Sequence, residues 1–173
     1  TAGLFNTSAA NKPTLVTTVT TIPTGSAASY VNGQLAIQVS SATNLNRTFA
    51  IGNSTGWRPV VISNFHSNGV LQTYTAEVIN GPTGGTPVSP LAALTLARYV
   101  RIQNSANIFS TSTATVQLSY GADDNVGNLP TARVAEANTA SGSYTSRGGS
   151  TQASTTTGIA STTAINPGDD YFV

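Results

Sequence analysis

A chain of 173 residues, 39% of them hydrophobic and none of them cysteine, can bury a core of its own, but has no disulfide staple and no thiolate metal site. Charged residues make up only 8%, against roughly 25% in an average soluble domain. Lys12 is the sole lysine, and Arg47, Arg58, Arg98, Arg101, Arg133 and Arg147 are scattered, so the clustered cations that nucleic-acid binding needs are missing and no nucleic-acid partner is expected.

No apolar run approaches the roughly 18 residues of a spanning helix, so membrane insertion is not expected. Ser, Thr, Asn, Gly and Ala take the place of charge on the surface, which gives copies of the chain little mutual repulsion. With Thr at position 1 and no methionine anywhere, the expected chain is a processed product working outside a cytoplasm: secreted, on a cell surface, or on a virion.

In chain order, residues 1–13 read as an irregular arm, which includes the sequon Asn6-Thr7-Ser8. Residues 14–22 (TLVTTVTTI) are dense in β-branched side chains and predict a strand. Its apolar residues fall on both sides, Leu15 and Val19 on one, Val16 and Ile22 on the other. Such a strand is either covered on two faces or lent to a neighbour, which makes these four the candidate subunit contacts. Residues 25–33 form a turn region. Residues 34–40 alternate, with Leu35, Ile37 and Val39 inward. A short strand over 48–52 is flanked by two more sequons, at Asn46 and Asn53.

The strand over 57–65 begins at an edge because of Pro59. Ser67-Asn68-Gly69 predicts a tight turn into a strand over 70–79, with Val70, Tyr74, Ala76 and Val78 on one face. Residues 80–90 are a Gly/Pro loop, and Ser89 with Pro90 fits the cap of a helical turn over 91–94. Residues 96–103 predict a strand with Leu96, Val100 and Ile102 on one face. Within it, residues 97–102 (ARYVRI) resemble a strand of discoidin-type carbohydrate-binding sandwiches; over six residues the resemblance implies a sandwich strand, and the discoidin disulfide has no cysteines to form here. Residues 113–120 alternate most cleanly. Residues 122–129 are a loop, 130–137 a brief helix or strand, and 139–163 contain 14 Ser or Thr among 25 residues. That composition is typical of disorder, so order there is expected to come from packing or assembly.

The expected fold is an all-β antiparallel sandwich, jelly-roll-like, of about seven to nine strands. It spans 14–138, between the arm 1–13 and the Ser/Thr-rich tail 139–173.

For chemistry, His66 lies beside a turn with no Gly-x-Ser-x-Gly elbow and no close acid in sequence, the nearest being Glu77. Asp123 and Asp124 are a weak loop-calcium candidate, lacking EF-hand spacing. Asp169-Asp170, Glu77 and Glu136 complete a sparse acid inventory, so no catalytic residue, cofactor or enzymatic activity is expected. Trp57, Arg58 and Tyr74 are the candidate carbohydrate-stacking residues, with Tyr30 and Tyr99 expected nearby. The leading expectation is a structural subunit of an extracellular, self-assembling filament, pilus-like or matrix-forming, whose partners are further copies of itself and glycans on Asn6, Asn46 or Asn53. The alternatives are a carbohydrate-binding or adhesive surface module, and a viral capsid or virion surface protein.

Overall fold

A computed structural model describes residues 3–16, 22–104, 113–124, 126, 129–149, 158–165, 168 and 170–173. Among these the chain is all-β. Its strands are β1 (Gly3–Asn6), β2 (Thr14–Leu15), β3 (Ser29–Asn32), β4 (Leu35–Val39), β5 (Leu45–Phe49), β6 (Ile51–Asn53), β7 (Gly56–Trp57) and β8 (Val60–Phe65), then β9 (Gln72–Asn80), β10 (Thr86–Pro87), β11 (Arg98–Asn104), β12 (Thr115–Ser119), β13 (Ala135–Ala137), β14 (Ser143–Ser146), β15 (Gly158–Ala160) and β16 (Asp170–Phe172). Two single 3-10 turns, Ala122–Asp124 and Leu129–Thr131, are the only helical pieces described. No helix among the described residues is long and apolar enough to cross a membrane.

Three open sheets form, in strand order β1-β3-β6-β7, β10-β14-β13-β16-β11-β9-β4-β2 and β15-β12-β8-β5. The antiparallel pairing expected from alternation holds throughout the β15-β12-β8-β5 sheet and through the middle of the eight-stranded sheet. The two rims of the eight-stranded sheet are parallel, β2 with β4 and β10 with β14, and in the β1-β3-β6-β7 sheet β1 with β3 and β3 with β6 run parallel. Parallel neighbours need a long return path rather than a hairpin, and the stretch between β1 and β3 supplies one.

One apolar core is shared by the eight-stranded sheet and the β15-β12-β8-β5 sheet. Ile37, Tyr74, Ile102 and Phe172 come from the first, and Phe49, Val60, Ile62, Phe65 and Val116 from the second. Local chemistry aims these side chains. The β5–β8 register shifts between Leu45 and Arg47, so β8 holds one residue more than its partner. Asn64 takes a left-handed φ of 57° there, and its N–H donates to Asn46 Oδ1 at 3.0 Å. Asn tolerates that conformation better than most residues. The extra residue resets the two-residue phase, and Ile62 and Phe65, three apart, both face the core.

The Asn68-Gly69 turn forms as expected, with both φ values positive and the Val70 N–H donating to Ser67 O at 3.0 Å. It is a corner between sheets rather than a hairpin, because β8 and β9 lie in different sheets. Val70 therefore stands exposed in the turn instead of joining the inward face of β9. Likewise Leu96 is outside β11 and exposed, and the inward position two residues later belongs to Arg98. Residues 91–94 form no helical turn.

The described part of the Ser/Thr-rich segment is built into the sheets of its own chain, as β14, β15 and β16. Tyr144, Ile159, Ile165 and Phe172 are widely spaced, yet all four are buried. The described residues beside these anchors are held by main-chain pairing in β14, β15 and β16.

Candidate functional site

Four charged side chains meet at one place in the fold. Arg98 on β11 is buried, and Arg58, between β7 and β8, is nearly so. The 3-10 turn Ala122–Asp124 brings two carboxylates to them. Asp123 pairs through Oδ1 with Arg58 and through Oδ2 with Arg98. Asp124 pairs through Oδ2 with Arg58 Nε at 3.2 Å and through Oδ1 with Arg98. The Gly121 N–H donates to Asp124 Oδ2 at 2.5 Å. Gly121 leaves room for the Arg58 guanidinium, which a Cβ there would crowd.

Around this square lies a polar shell. Arg98 Nη1 donates to Thr55 Oγ1 at 2.9 Å, and Asn53 accepts from the Thr55 N–H at 3.0 Å and donates to Asn80 Oδ1 at 2.6 Å. Burial raises the Asp123 carboxyl, but the hydrogen bond and charge of Arg98 and the charge of Arg58 more than offset it and leave it at about 2. All four carboxylate oxygens are thus taken by guanidinium groups. Two positive charges stand where a calcium ion would need to sit, so the calcium candidate Asp123–Asp124 is corrected to an ion-pair network.

Beside the network opens a cavity of about 650 Å³. Its walls are Val78 and Val100 of the eight-stranded sheet, Leu118 and Ile159 of the four-stranded sheet, Phe172, Val126 and Val134, with Arg58, Arg98 and Asp124 at its polar end. Residues 90–95 run along its mouth. The lining is mainly apolar.

At the edge of the β1-β3-β6-β7 sheet lies β1. All four of its residues are exposed, with Leu4 51% and Phe5 59% accessible. It is held by its parallel ladder to β3 and by Asn32 Nδ2 donating to Asn6 Oδ1 at 2.8 Å. Phe5 rims a small cleft of about 310 Å³ formed with Pro13, Leu15, Pro23, Val31 and Leu35, which leaves most of its ring uncovered. Of the four candidate contacts, Leu15 and Ile22 pack partly against the core of their own chain and Val16 is exposed, while Val19 lies outside the described residues.

The other predicted residues do not gather into a site. Tyr74 is fully buried, edge-to-face on Phe65 at 5.1 Å, and burial pushes its hydroxyl up to about 12; it has no face left for a sugar. Arg58 is committed to the carboxylates. Trp57 is half-buried, and its indole N–H has no acceptor among the described residues; a Cβ on Gly25 would stand 3.3 Å from it. Asn6 and Asn46 are exposed, whereas Asn53 is buried and its amide nitrogen already donates to Asn80. Buried, with its carboxamide bonded to Thr55 and Asn80, Asn53 stands in this structure as a structural residue.

His66 Nδ1 accepts from the Asn68 N–H at 3.1 Å, a turn-stabilising role. Glu136 pairs with Arg147, and Glu77 accepts from Gln34 Nε2 at 2.9 Å. Among the described residues no three His, Cys, Asp or Glu side chains converge as a metal site would require.

Sequence reasoning missed Arg98 and the Leu4–Phe5 pair. A signal existed for each: Arg98 sits in phase with Val100 and Ile102, and an inward arginine demands a carboxylate. The arm holds a Leu-Phe pair in a stretch without charge until Lys12. Comparison with family models, curated proteins and solved structures found no match to this chain.

Proposed function

We propose that the chain is a structural subunit of an extracellular filament, in which copies are joined through the extended N-terminal segment. We read the two sheets that share the core as the layers of a sandwich, with the β1 sheet at its rim. The carrying observation is β1 itself, an ordered strand whose Leu4 and Phe5 are about half uncovered in the single chain. Burying a Leu or Phe side chain stabilises by about 1.5–3 kcal/mol, and a second copy that covers them gains what the isolated chain forgoes. The low charge density adds little repulsion against such contact.

The test compares the full chain with one lacking residues 1–11, by sedimentation and electron microscopy over a range of concentrations. The full chain should form oligomers and filaments, while the shortened chain should stay monomeric with its melting temperature nearly unchanged. A full chain that sediments as a monomer at high concentration overturns the reading.

A carbohydrate-binding surface is a second reading with one observation behind it. Tyr99 and Tyr171 stand with ring centroids 6.1 Å apart, and Arg101 lies 5.5 Å over the Tyr171 ring, on half-buried positions of adjacent strands. That reading requires binding on a glycan array that Tyr99→Ala abolishes.

A further inference from the structure

We propose that the cavity of about 650 Å³ binds an aliphatic carboxylate of the fatty-acid class, its chain among the apolar walls and its head at Arg133. The inference is separate from how copies of the chain join. Elsewhere in the core, large side chains meet across the two sheets: Tyr74 stands edge-to-face on Phe65 at 5.1 Å, and Phe49 is fully buried. Around the cavity the sequence places smaller ones. Val78 and Val100 face inward from the eight-stranded sheet, and Val134 and Ala132 line the side. They leave a space within the usual range of small-molecule sites, roughly 300–1,000 Å³. Wall atoms beside a void lack dispersion partners, and an apolar guest supplies them.

The charged side chains along the wall do not balance. Arg58 and Arg98 are matched by Asp123 and Asp124. Arg133 also lines the cavity and is itself exposed, which puts it where the cavity meets solvent. No carboxylate side chain pairs with it among the described residues. Its Nη1 donates to Ala132 O at 2.8 Å and to Pro130 O at 3.3 Å, neutral acceptors that hold the side chain without cancelling its charge. Other polar groups of the lining have partners: Ser119 Oγ donates to Pro59 O at 2.7 Å, and Thr95 Oγ1 to Asp124 O at 3.4 Å. Three guanidinium groups thus stand against two carboxylates, and the one in excess is at the rim.

That arrangement selects both halves of the guest. The interior takes a hydrocarbon chain, because a charge carried past the rim would meet only the matched network and apolar walls. The rim takes an anionic head, which keeps its water there and accepts from a guanidinium that presents paired N–H donors. An ammonium head would face a like charge instead.

Titration calorimetry with dodecanoate, dodecanol and dodecylammonium, each as monomers in solution, tests this on the full chain. Dodecanoate should bind in equimolar amount and more tightly than dodecylammonium. Arg133→Glu, a change at an exposed position, should weaken dodecanoate by about tenfold, strengthen dodecylammonium and leave dodecanol unaltered. Leu118→Trp should fill the cavity and abolish binding of all three; should it fail to fold, Ala132→Trp fills the space from the side. The proposal is overturned if the wild-type chain binds no dodecanoate, or if Arg133→Glu leaves the order of the three unchanged. Binding that survives a folded cavity-filling variant places the amphiphile on the outer surface and overturns it as well.

Discussion

Arg98 occupies an inward position on β11, in line with Val100 and Ile102, where an unpaired guanidinium would be very costly. Two carboxylates from one turn answer two arginines, one on β11 and one between β7 and β8, so the network is neutral and every ionic group in it has a partner. Its value is asymmetric: a complete set contributes modestly, but a missing member strands a buried charge. Asp124→Ala should therefore cost about 3–5 kcal/mol of unfolding free energy in urea titrations. Acid should act through Asp123, whose carboxyl sits at about 2 in the fold against an ordinary 3.8. The folded value is the lower one, so this contribution is complete above about pH 3.8 and is lost as pH falls toward 2. Asp123→Asn should flatten that segment of the stability profile; an unchanged profile would remove Asp123 from the account. Single residues were the least legible scale in the sequence. Asp123 and Asp124 stood out as a pair, but their partners Arg58 and Arg98 lie 65 or more and 25 or more positions earlier in the chain, a pairing that spacing alone does not reveal.

Strand identity follows how much a segment's own pattern decides its place. β4, β9, β11 and β12 lie in segments whose alternation predicted them, because each buries one face against the core and shows it in its side chains. β2, β7, β10, β13 and β15 are two or three residues long, and a partner's edge decides their conformation more than their own sequence does. The bulge at Asn64 belongs to the same class: it is visible only once β5 and β8 are paired. The longest continuous register is β9 with β11, seven residue pairs from Arg98–Asn80 to Asn104–Tyr74, with both strands flanked by further strands. Amides at the centre of β9 and β11 should exchange most slowly in hydrogen-exchange mass spectrometry, near the global unfolding limit. Those of β1 and β10, exposed strands at sheet rims, should exchange fastest. Slow exchange throughout β1 in a verified monomer would mean the arm is firmly built into its own chain, and would weaken the case for lending it.

At the scale of the whole molecule, the distribution of charge sets what kind of force can join copies. Between residue 1 and residue 46 only Lys12 is charged. An interface made through this N-terminal segment has little ionic contribution for salt to screen. What remains is apolar burial and main-chain pairing, and apolar burial weakens on cooling and strengthens with excluded salts such as sulfate. Raising sodium chloride tenfold should thus move the critical concentration for assembly by less than about twofold. Cooling should raise that concentration, and sulfate should lower it. The readout is pelleting of assembled material across concentration series at each condition. A steep loss of assembly with sodium chloride would point instead to an ionic joint, drawing on Arg47, Arg101 or Arg133 outside the neutral network, and would move the contact away from the arm.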